Sequence, residues 1–551
     1  MRPEDSQSAA AAGRGMEERK LEEQLGRYRE VVAVHRGLAE ADPENHLPPL
    51  AHSLSDLGRA LVELKRFDEA LSSFEEAVAA LRRLIGTDRG LHALELAPAL
   101  TDLGALLSAL GRPDEAVPVW EEAVDLYREL AVVPDYRDDP GSPIPDALGS
   151  ALCELGSALN GLGRYDEAVA ALREAADIRR GLVATDPEEH LLDLARALDG
   201  LRTVLSDLGR PGEALPVIEE LVAVHRRLAD AGSGRPTLEL AIAVGELGVT
   251  LMEVGRLDEA VPLLEEAADS YGKVLAVLRD PYSPQIGAIH EGKAATLTNL
   301  GLALTRMGRL DEAVPRLELA VSFHRVLVGY DPERYVLGYT RSMINLGHAF
   351  SEQGRHDDAL PEFQEAARLR QELAELDPGR FMPEYARSLV GFGMGLTNAG
   401  RLDDAATIGQ EAVNMCRQLA QADPERFLPD LANALSCLEA AHVRLERSED
   451  LLFVQEEAVT VHRELIKVDK ERFLPGLARC LSNLGLTYDE LGRPGDAVPV
   501  MNEALWAHEQ LFLRRPSDHM DGYLNARRHL AACLAKVGRH DEAAQLLGNP
   551  R

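Results

Sequence analysis

The sequence predicts an all-α fold, a right-handed α-solenoid built from antiparallel helix pairs. Three observations predict it: a turn glycine that recurs at a fixed period, small residues at fixed distances from that glycine, and apolar residues at helical spacing between them. The clearest copy covers residues 297–332, LTNLGLALTRMGRLDEAVPRLELAVSFHRVLVGYDP, in which two amphipathic segments meet at Gly308-Arg309.

The period is 46 residues, as the spacing of Gly308, Gly354 and Gly400 shows. Two intervals elsewhere are longer, by six and seven residues, and the phase is otherwise kept along the chain. The other copies carry the hinge at Arg19-Lys20, Lys65, Gly111, Gly163, Gly209, Gly255, Glu446, Gly492 and Gly538. A phase held over so many copies indicates a repeat architecture, in which each repeat buries its apolar side on its neighbours.

Small residues hold the same places in most copies. Leu and Gly stand eight and seven residues before the hinge, as in Leu346-Gly347, and Ala stands five and twelve residues after it. This order resembles the tetratricopeptide repeat, with a longer period than the usual ~34 residues and a second helix that extends to Asp-Pro, as in kinesin-light-chain-like and bacterial arrays. The resemblance covers residues 19–551. It implies a superhelix whose concave face, made by the first helices, binds proteins or peptides.

In chain order, residues 1–18 have no apolar stripe and are predicted to be a disordered tail. A lone helix of the second type follows over 19–41, and about eleven helix pairs complete the array 19–551. In each hinge, Gly supplies the left-handed conformation that ends the first helix, and acidic residues start the second. Two insertions, near 134–146 and 279–292, share the pattern D-P-x-S-P and are interpreted as longer loops.

Composition narrows the partners. Asp and Glu outnumber Lys and Arg by 92 to 59, a net charge of −33, which disfavours nucleic acid and anionic membranes. The sequence has no run of eighteen apolar residues, so no membrane span is predicted, and the N-terminus lacks the apolar core of a signal peptide. The five cysteines show no metal-ligand spacing, so they are interpreted as small hydrophobic residues of a cytoplasmic protein without disulfides.

No pattern predicts catalysis, a cofactor or a metal. Residues 287–293, GAIHEGK, match the spacing of a phosphate-binding loop, but Ala294 follows where Ser or Thr is needed and no strand precedes it. Five of the sixteen histidines share one place, sixteen residues after the hinge, where other copies carry Leu81, Tyr127, Tyr271 or Cys416. A place that accepts both His and Leu is a packing position rather than a ligand site. We therefore expect that the protein is not an enzyme.

The resemblance places a ligand along first-helix residues thirteen, ten, nine, six and three before each hinge. Arg recurs at the first of these places, as in Arg196, and Asn at the third, although Asn is a poor residue for a helix interior. The candidate peptide- or protein-binding residues are Asn299, Arg341, Asn345, His348, Arg387, Arg479 and Asn483. The alternative is that each Asn contacts a neighbouring helix and each Arg pairs with surplus Glu. The family's carboxylate clamp is not reproduced, because Lys is absent from its usual places.

The predicted function is that of a protein- or peptide-binding scaffold with an unidentified protein or peptide partner. One alternative is a sensor that changes pitch on binding a signal peptide and regulates a partner enzyme or transcription factor. The other is a structural role, in which self-association proceeds through a C-terminal face that lacks a polar capping helix.

Overall fold

A computed structural model describes residues 3–85, 89–137, 139, 141–232, 237–277 and 285–548. Over these residues all regular structure is helical, which confirms the all-α prediction. In chain order the helices are α1 (Pro3–Ala41), α2 (Pro43–Glu63), α3 (Phe67–Ile85), α4 (Arg89–Ala109), α5 (Pro113–Ala131), α6 (Pro134–Arg137), α7 (Ile144–Gly161), α8 (Tyr165–Thr185), α9 (Pro187–Asp207), α10 (Pro211–Gly232), α11 (Leu238–Glu253), α12 (Leu257–Val277), α13 (Gln285–Arg306), α14 (Leu310–Tyr330), α15 (Pro332–Glu352), α16 (His356–Leu376), α17 (Pro378–Asn398), α18 (Leu402–Ala422), α19 (Pro424–Leu445), α20 (Ser448–Val468), α21 (Lys470–Glu490), α22 (Pro494–Arg514), α23 (Pro516–Lys536) and α24 (His540–Gly548).

The chain forms two compact units, Met1–Glu266 and Ala267–Arg551, and the division falls within α12. In each unit, most helices that follow one another in sequence pack against one another, which is the arrangement of an α-solenoid. Each pair consists of a first helix before a hinge and a second helix after it. The first helices are α2, α4, α7, α9, α11, α13, α15, α17, α19, α21 and α23.

Successive first helices also contact one another directly. In the first unit this holds from α2 to α9, and in the second unit from α13 to α19 and between α21 and α23. Within the described residues, no two successive second helices make comparable contact. The side of each unit made by the first helices is called the first-helix face, and the side made by the second helices is called the second-helix face.

Each described first helix ends at a hinge in the left-handed conformation. The nine hinge glycines have φ between 63° and 83°, and Lys65 and Glu446 have φ of 58° and 57°. At one hinge the amide of Arg355 donates to the carbonyl of Phe350 at 2.8 Å, while the amide of Gly354 donates to that of Ser351 at 3.0 Å. These bonds satisfy carbonyls that the helix end would leave free. The left-handed conformation predicted for the hinge glycines is confirmed at all nine, and Lys65 and Glu446 adopt it without Gly.

The Leu-Gly motif has a steric cause. A Cβ on Gly301 would lie 2.3 Å from the side chain of Leu317, and one on Gly347 would lie 2.9 Å from the ring of Phe363. The large residue comes from the second helix of the same pair and is almost completely buried. Gly is therefore needed because the partner side chain occupies the space where a Cβ would stand.

The structure corrects two boundaries. Helix α1 begins at Pro3 and runs through Arg19 without a hinge, so the predicted disordered tail is helical over residues 3–18. The alanines of this stretch favour a helix even without an apolar stripe. In the second insertion, α13 begins at Gln285, so residues 285–292 are helical rather than a loop, and GAIHEGK lies inside that helix. The D-P-x-S-P copy at residues 280–284 lies outside the described residues.

Candidate functional site

The predicted binding residues all lie on first helices of the second unit. Asn299 is on α13; Arg341, Asn345 and His348 are on α15; and Arg387 is on α17. The structure brings these five together on three successive helices of the first-helix face. The other two, Arg479 and Asn483, are on α21, and α19 separates them from the first five in the helix order.

Arg341 is an exposed cation without a partner. It has no ion pair and no side-chain hydrogen bond with any described residue, whereas most arginines of this acidic chain are paired. Burial against the first-helix face lowers the pKa of its guanidinium, and no carboxylate acts to raise it. A guanidinium that is partly desolvated and unpaired is suited to bind a carboxylate or another anionic group from outside.

The loss of a partner for Arg341 has a visible cause. Glu384 stands 43 residues after it, the same separation that joins Arg387 to Asp430 in the next repeat. Glu384 instead accepts a hydrogen bond of 2.6 Å from Nη1 of Arg387. It also lies 3.7 Å from the buried guanidinium of Arg370. The carboxylate that would neutralise Arg341 is therefore engaged by two other arginines.

Arg370 is a component of this site that the sequence analysis missed. It is 6% exposed on α16, where its Nε donates to Oγ1 of Thr340 at 2.9 Å and its Nη1 to the carbonyl of Glu384 at 3.0 Å. Burial lowers its pKa to about 10, with a raising effect of Glu384 and lowering effects of Arg387 and Arg341. Arg370 occupies the packing position sixteen residues after the hinge, so the repeat alignment already placed a charged residue in the core at this point.

Asn299 and Asn345 are half-buried at the same repeat position on adjacent first helices. Neither amide makes a side-chain hydrogen bond with a described residue. Each amide offers two donors and an acceptor, the set required to pair with an extended peptide backbone. No hydrogen bond between these two amides and a neighbouring helix is present among the described residues.

The alternative of contacts within the array does describe the remaining predicted residues. Nε and Nη2 of Arg387 donate to the carboxylate of Asp430 at 3.0 and 2.9 Å. The buried carboxylate of Glu439 accepts from Asn483 at 3.1 Å and lies 3.4 Å from Nη1 of Arg479. Gln455 donates to the same carboxylate at 2.9 Å. These side chains hold neighbouring helices together and have less capacity left for a ligand.

The two histidines near this site, His324 and His348, pack against neighbouring side chains. His348 lies edge-on to the ring of Phe363, with 5.0 Å between ring centroids, and burial lowers its pKa. His324, sixteen residues after its hinge, is 2% exposed and lies 2.9 Å from the hydroxyl of Ser342 through Nδ1. Burial, with a smaller effect of Arg341, lowers its pKa to about 4. The packing role predicted for this place is thus observed at His324.

One group of potential metal ligands is present among the described residues. Atoms of Asp146, His190 and Asp193 lie within 4.8 Å of one another. The guanidinium of Arg179, 2% exposed, donates to the carboxylate of Asp146 and lies 3.9 Å from that of Asp193. Arg196 also lies 3.0 Å from Asp193, so two guanidiniums balance the two carboxylates and would repel a metal ion.

Comparison with known proteins identifies the family. Sequence models described as tetratricopeptide repeat match residues 49–129, 148–189, 241–277, 292–372, 344–425 and 524–549, which together exceed half of the chain. The chain belongs to the tetratricopeptide repeat family. This fold generally serves as a non-catalytic scaffold for protein interactions. No protein with a curated function matches the sequence.

Several solved structures are similar in fold. BtubC (BKLC) from P. vanneervenii is 21% identical, with 48% of this chain and 94% of that chain covered and a TM-score of 0.34. A Rap protein complexed with competence and sporulation factor is 14% identical, with coverage of 71% and 99% and a TM-score of 0.36. A signal transduction ATPase with a tetratricopeptide repeat sensor from Pyrococcus horikoshii is 12% identical, with coverage of 74% and 55% and a TM-score of 0.41. These likenesses concern the fold alone.

Two further findings bear on the predicted surroundings. No helix in the described part of the chain is long and apolar enough to cross a membrane. All five cysteines are free, and four of them are buried. Burial raises the pKa of the Cys416 and Cys437 thiols to about 12, so these side chains are neutral packing groups.

Proposed function

We propose that this tetratricopeptide repeat protein is a scaffold that binds an extended segment of a partner protein on the first-helix face of α13, α15 and α17. The observation that carries the proposal is Arg341, the exposed guanidinium that no described carboxylate neutralises. Asn299 and Asn345, whose amides are free of side-chain hydrogen bonds, support it from the neighbouring positions.

The expected ligand carries an acidic group. Arg341 is exposed, but neighbouring atoms partly desolvate its guanidinium and no carboxylate compensates. A carboxylate from a peptide therefore gains more from pairing there than at a fully solvated arginine. Arg370 and Arg387 nearby are paired with Glu384 and Asp430, so Arg341 is the arginine of this group that has no carboxylate of its own. The amides of Asn299 and Asn345 then pair with the peptide backbone, which fixes the position of the chain without selecting its side chains.

Selection from a random 12-residue peptide library tests the proposal. The full-length protein is expected to enrich peptides with Asp or Glu at one fixed position. Arg341→Glu is expected to replace that preference by Lys or Arg, because the charge at the contact is reversed. Arg196→Glu is the matched control: Arg196 has the same repeat position, is exposed, and lies 3.0 Å from Asp193 in the first unit.

Two results would contradict the proposal. One is a peptide preference that Arg341→Glu leaves unchanged while circular dichroism shows both proteins to be folded. The other is an equal change in the Arg196→Glu control, which would mean that net charge rather than the site determines binding.

A further inference from the structure

A ladder of ion pairs runs along the second-helix face. In each rung, an Arg of one second-type helix pairs with a Glu of the next. Arg180, for example, donates from Nε and Nη2 to Glu220, both at 2.8 Å. The described rungs are Arg36–Glu76, Arg82–Glu122, Arg128–Glu174, Arg180–Glu220 and Arg226–Glu266 in the first unit, and Arg417–Glu457 and Arg463–Glu503 in the second.

The rung between α12 and α14 has lost both members. Gly272 stands at the place of the Arg and Leu319 at the place of the Glu. In the next interval the charged pair is retained, although its members bond elsewhere: Arg325 donates to Tyr339 at 3.2 Å, and Glu365 lies 2.6 Å from Arg368. Only the interval between α12 and α14 replaces both ionisable residues with Gly and an apolar residue.

Lys293 supplies a cation at this vacant rung. Its Nζ lies 3.2 Å from the point where a Cβ of Gly272 would stand, so the ammonium reaches the space that the Arg side chain occupies in other repeats. Nζ also lies 5.2 Å from the ring centroid of Phe323. Neither Lys293 nor the neighbouring Lys273 has an ion pair with a described residue. The carboxylate that completes every other described rung is missing here.

An apolar stripe on α14 adjoins this cation. It consists of Leu319, Phe323, Val326 and Tyr330, whose spacing of four, three and four residues is that of a heptad seam. Leu319, Val326 and Tyr330 are 41%, 54% and 84% exposed. The opposite side of α14 packs into the core, so this helix has two apolar sides where a surface helix ordinarily has one.

Two residues of the stripe, Leu319 and Val326, are specific to α14. The place of Leu319 carries Glu in most other second helices, and the place of Val326 carries charged residues such as Arg83, Glu372 and Glu464. The places of Phe323 and Tyr330 are apolar in other copies as well, as Val224 and Leu376 show. Because the places of Leu319 and Val326 are polar or Gly elsewhere, packing within the array does not require apolar residues at these two. An apolar seam beside an unpaired ammonium indicates a docking surface.

We propose that an acidic amphipathic helix of a partner protein docks on this stripe, with its apolar seam on α14 and a carboxylate on the ammonium of Lys293. Heptad spacing selects a helix as the occupant, because the seams of two helices then remain in contact along their length. The unpaired ammonium groups of Lys273 and Lys293 favour a helix with acidic side chains. The surface is distinct from the first-helix face and does not depend on the function proposed above.

Fluorescence anisotropy with two labelled 18-residue helical peptides tests this inference. Both carry Leu at the heptad seam; one has Glu at the flanking positions and the other has Lys. The full-length protein is expected to bind the Glu peptide at least tenfold more tightly. The double variant Gly272→Arg/Leu319→Glu restores the ladder rung and is expected to lose at least tenfold in affinity. It should remain folded, because seven repeats already contain this pair.

Lys293→Glu provides the second arm and is expected to reverse the preference between the two peptides. Equal binding of both peptides by the natural protein, or unchanged binding of the Glu peptide by the folded double variant, would overturn the inference. Light scattering over a concentration series tests whether a second copy of the chain binds the stripe instead. Self-association that the double variant abolishes would show that a second copy, rather than a partner helix, occupies the stripe.

Discussion

The left-handed hinge at Glu446 allows a quantitative prediction about stability. Glu446 has φ of 57°, and its side chain is exposed without an ion pair among the described residues. A residue with a Cβ in this conformation costs about 1–2 kcal/mol, whereas Gly adopts it freely but loses roughly 0.5–1 kcal/mol through the entropy of the unfolded chain. Glu446→Gly is therefore expected to stabilise the pair α19–α20 by about 0.5–1 kcal/mol.

The reverse substitution at another hinge is expected to lower the stability of its helix pair. Gly354 has φ of 77°, and no atom lies within 4 Å of the position of its missing Cβ. Gly354→Ala therefore adds backbone strain without a clash, and it is expected to destabilise α15–α16 by about 1 kcal/mol. Gly181→Ala is the control, because Gly181 lies within α8 with equally open space. There Ala is expected to stabilise the helix by up to ~1 kcal/mol.

Native-state hydrogen–deuterium exchange with mass spectrometry is the appropriate assay, since repeat arrays open locally rather than in one step. A change of 1 kcal/mol corresponds to roughly a fivefold change in the exchange rate of the affected pair. Slower exchange is expected over α19–α20 for Glu446→Gly, and faster exchange over α15–α16 for Gly354→Ala. Unchanged exchange in both hinge variants, or equal behaviour of Gly354→Ala and Gly181→Ala, would show that the left-handed conformation does not limit the stability of these pairs.

Two further predictions concern the core. Phe363→Ala is expected to lower the free energy of unfolding by about 3–5 kcal/mol, because it empties the space against Gly347. Phe363→Leu should lower it much less, since Leu317 fills the same place in another repeat. Thermal unfolding followed by circular dichroism measures both, and equal losses of stability would contradict the packing role of Phe363. His324 has a folded pKa of about 4 against an ordinary value of 6.5, so the unfolded state takes up the proton first as the pH falls. The contribution of neutral His324 to the free energy of unfolding is therefore complete above pH ~6.5 and is lost towards pH 4, by about 3 kcal/mol at most. His324→Tyr is expected to remove this part of the pH dependence. Melting temperatures at pH 7 and pH 5 measure it.

The fold was predictable because its determinants are local and repeated. Gly308 and its equivalents end helices through their own backbone conformation, and Gly301 is small because Leu317 of the same pair fills its space. Both signals lie within one period of the sequence. The start of α1 was predicted wrongly, because the apolar stripe was taken as the criterion for a helix while the alanine-rich segment forms one by intrinsic propensity.

The sequence predicts where the arginines of the candidate site lie, but not which of them is paired with a carboxylate. Arg341 and Arg387 occupy the same repeat position, and nothing in that position shows which of them is free. The difference arises because Glu384 is engaged by Arg387 and Arg370, while Arg387 also has Asp430 from the next helix pair. Such competition among neighbours in three dimensions is not encoded in the spacing of one motif.

The ladder on the second-helix face was readable from the repeat alignment. Arg and Glu recur at fixed distances from the hinge, and Gly272 and Leu319 are visible departures from that pattern. What the sequence does not contain is the reach of Lys293 from α13 into the vacant rung. That contact depends on the packing of α13 beside α12 and required the structure.

Photo-crosslinking locates a bound peptide on the first-helix face near Arg341. Benzoylphenylalanine is placed at Asn345, and at Arg83 as an exposed control on the second-helix face of the first unit. With the peptide selected from the library, a crosslink is expected at position 345 and none at position 83. A crosslink at position 83, or none at position 345 from a folded protein that still binds the peptide, would show that the peptide does not bind near Arg341.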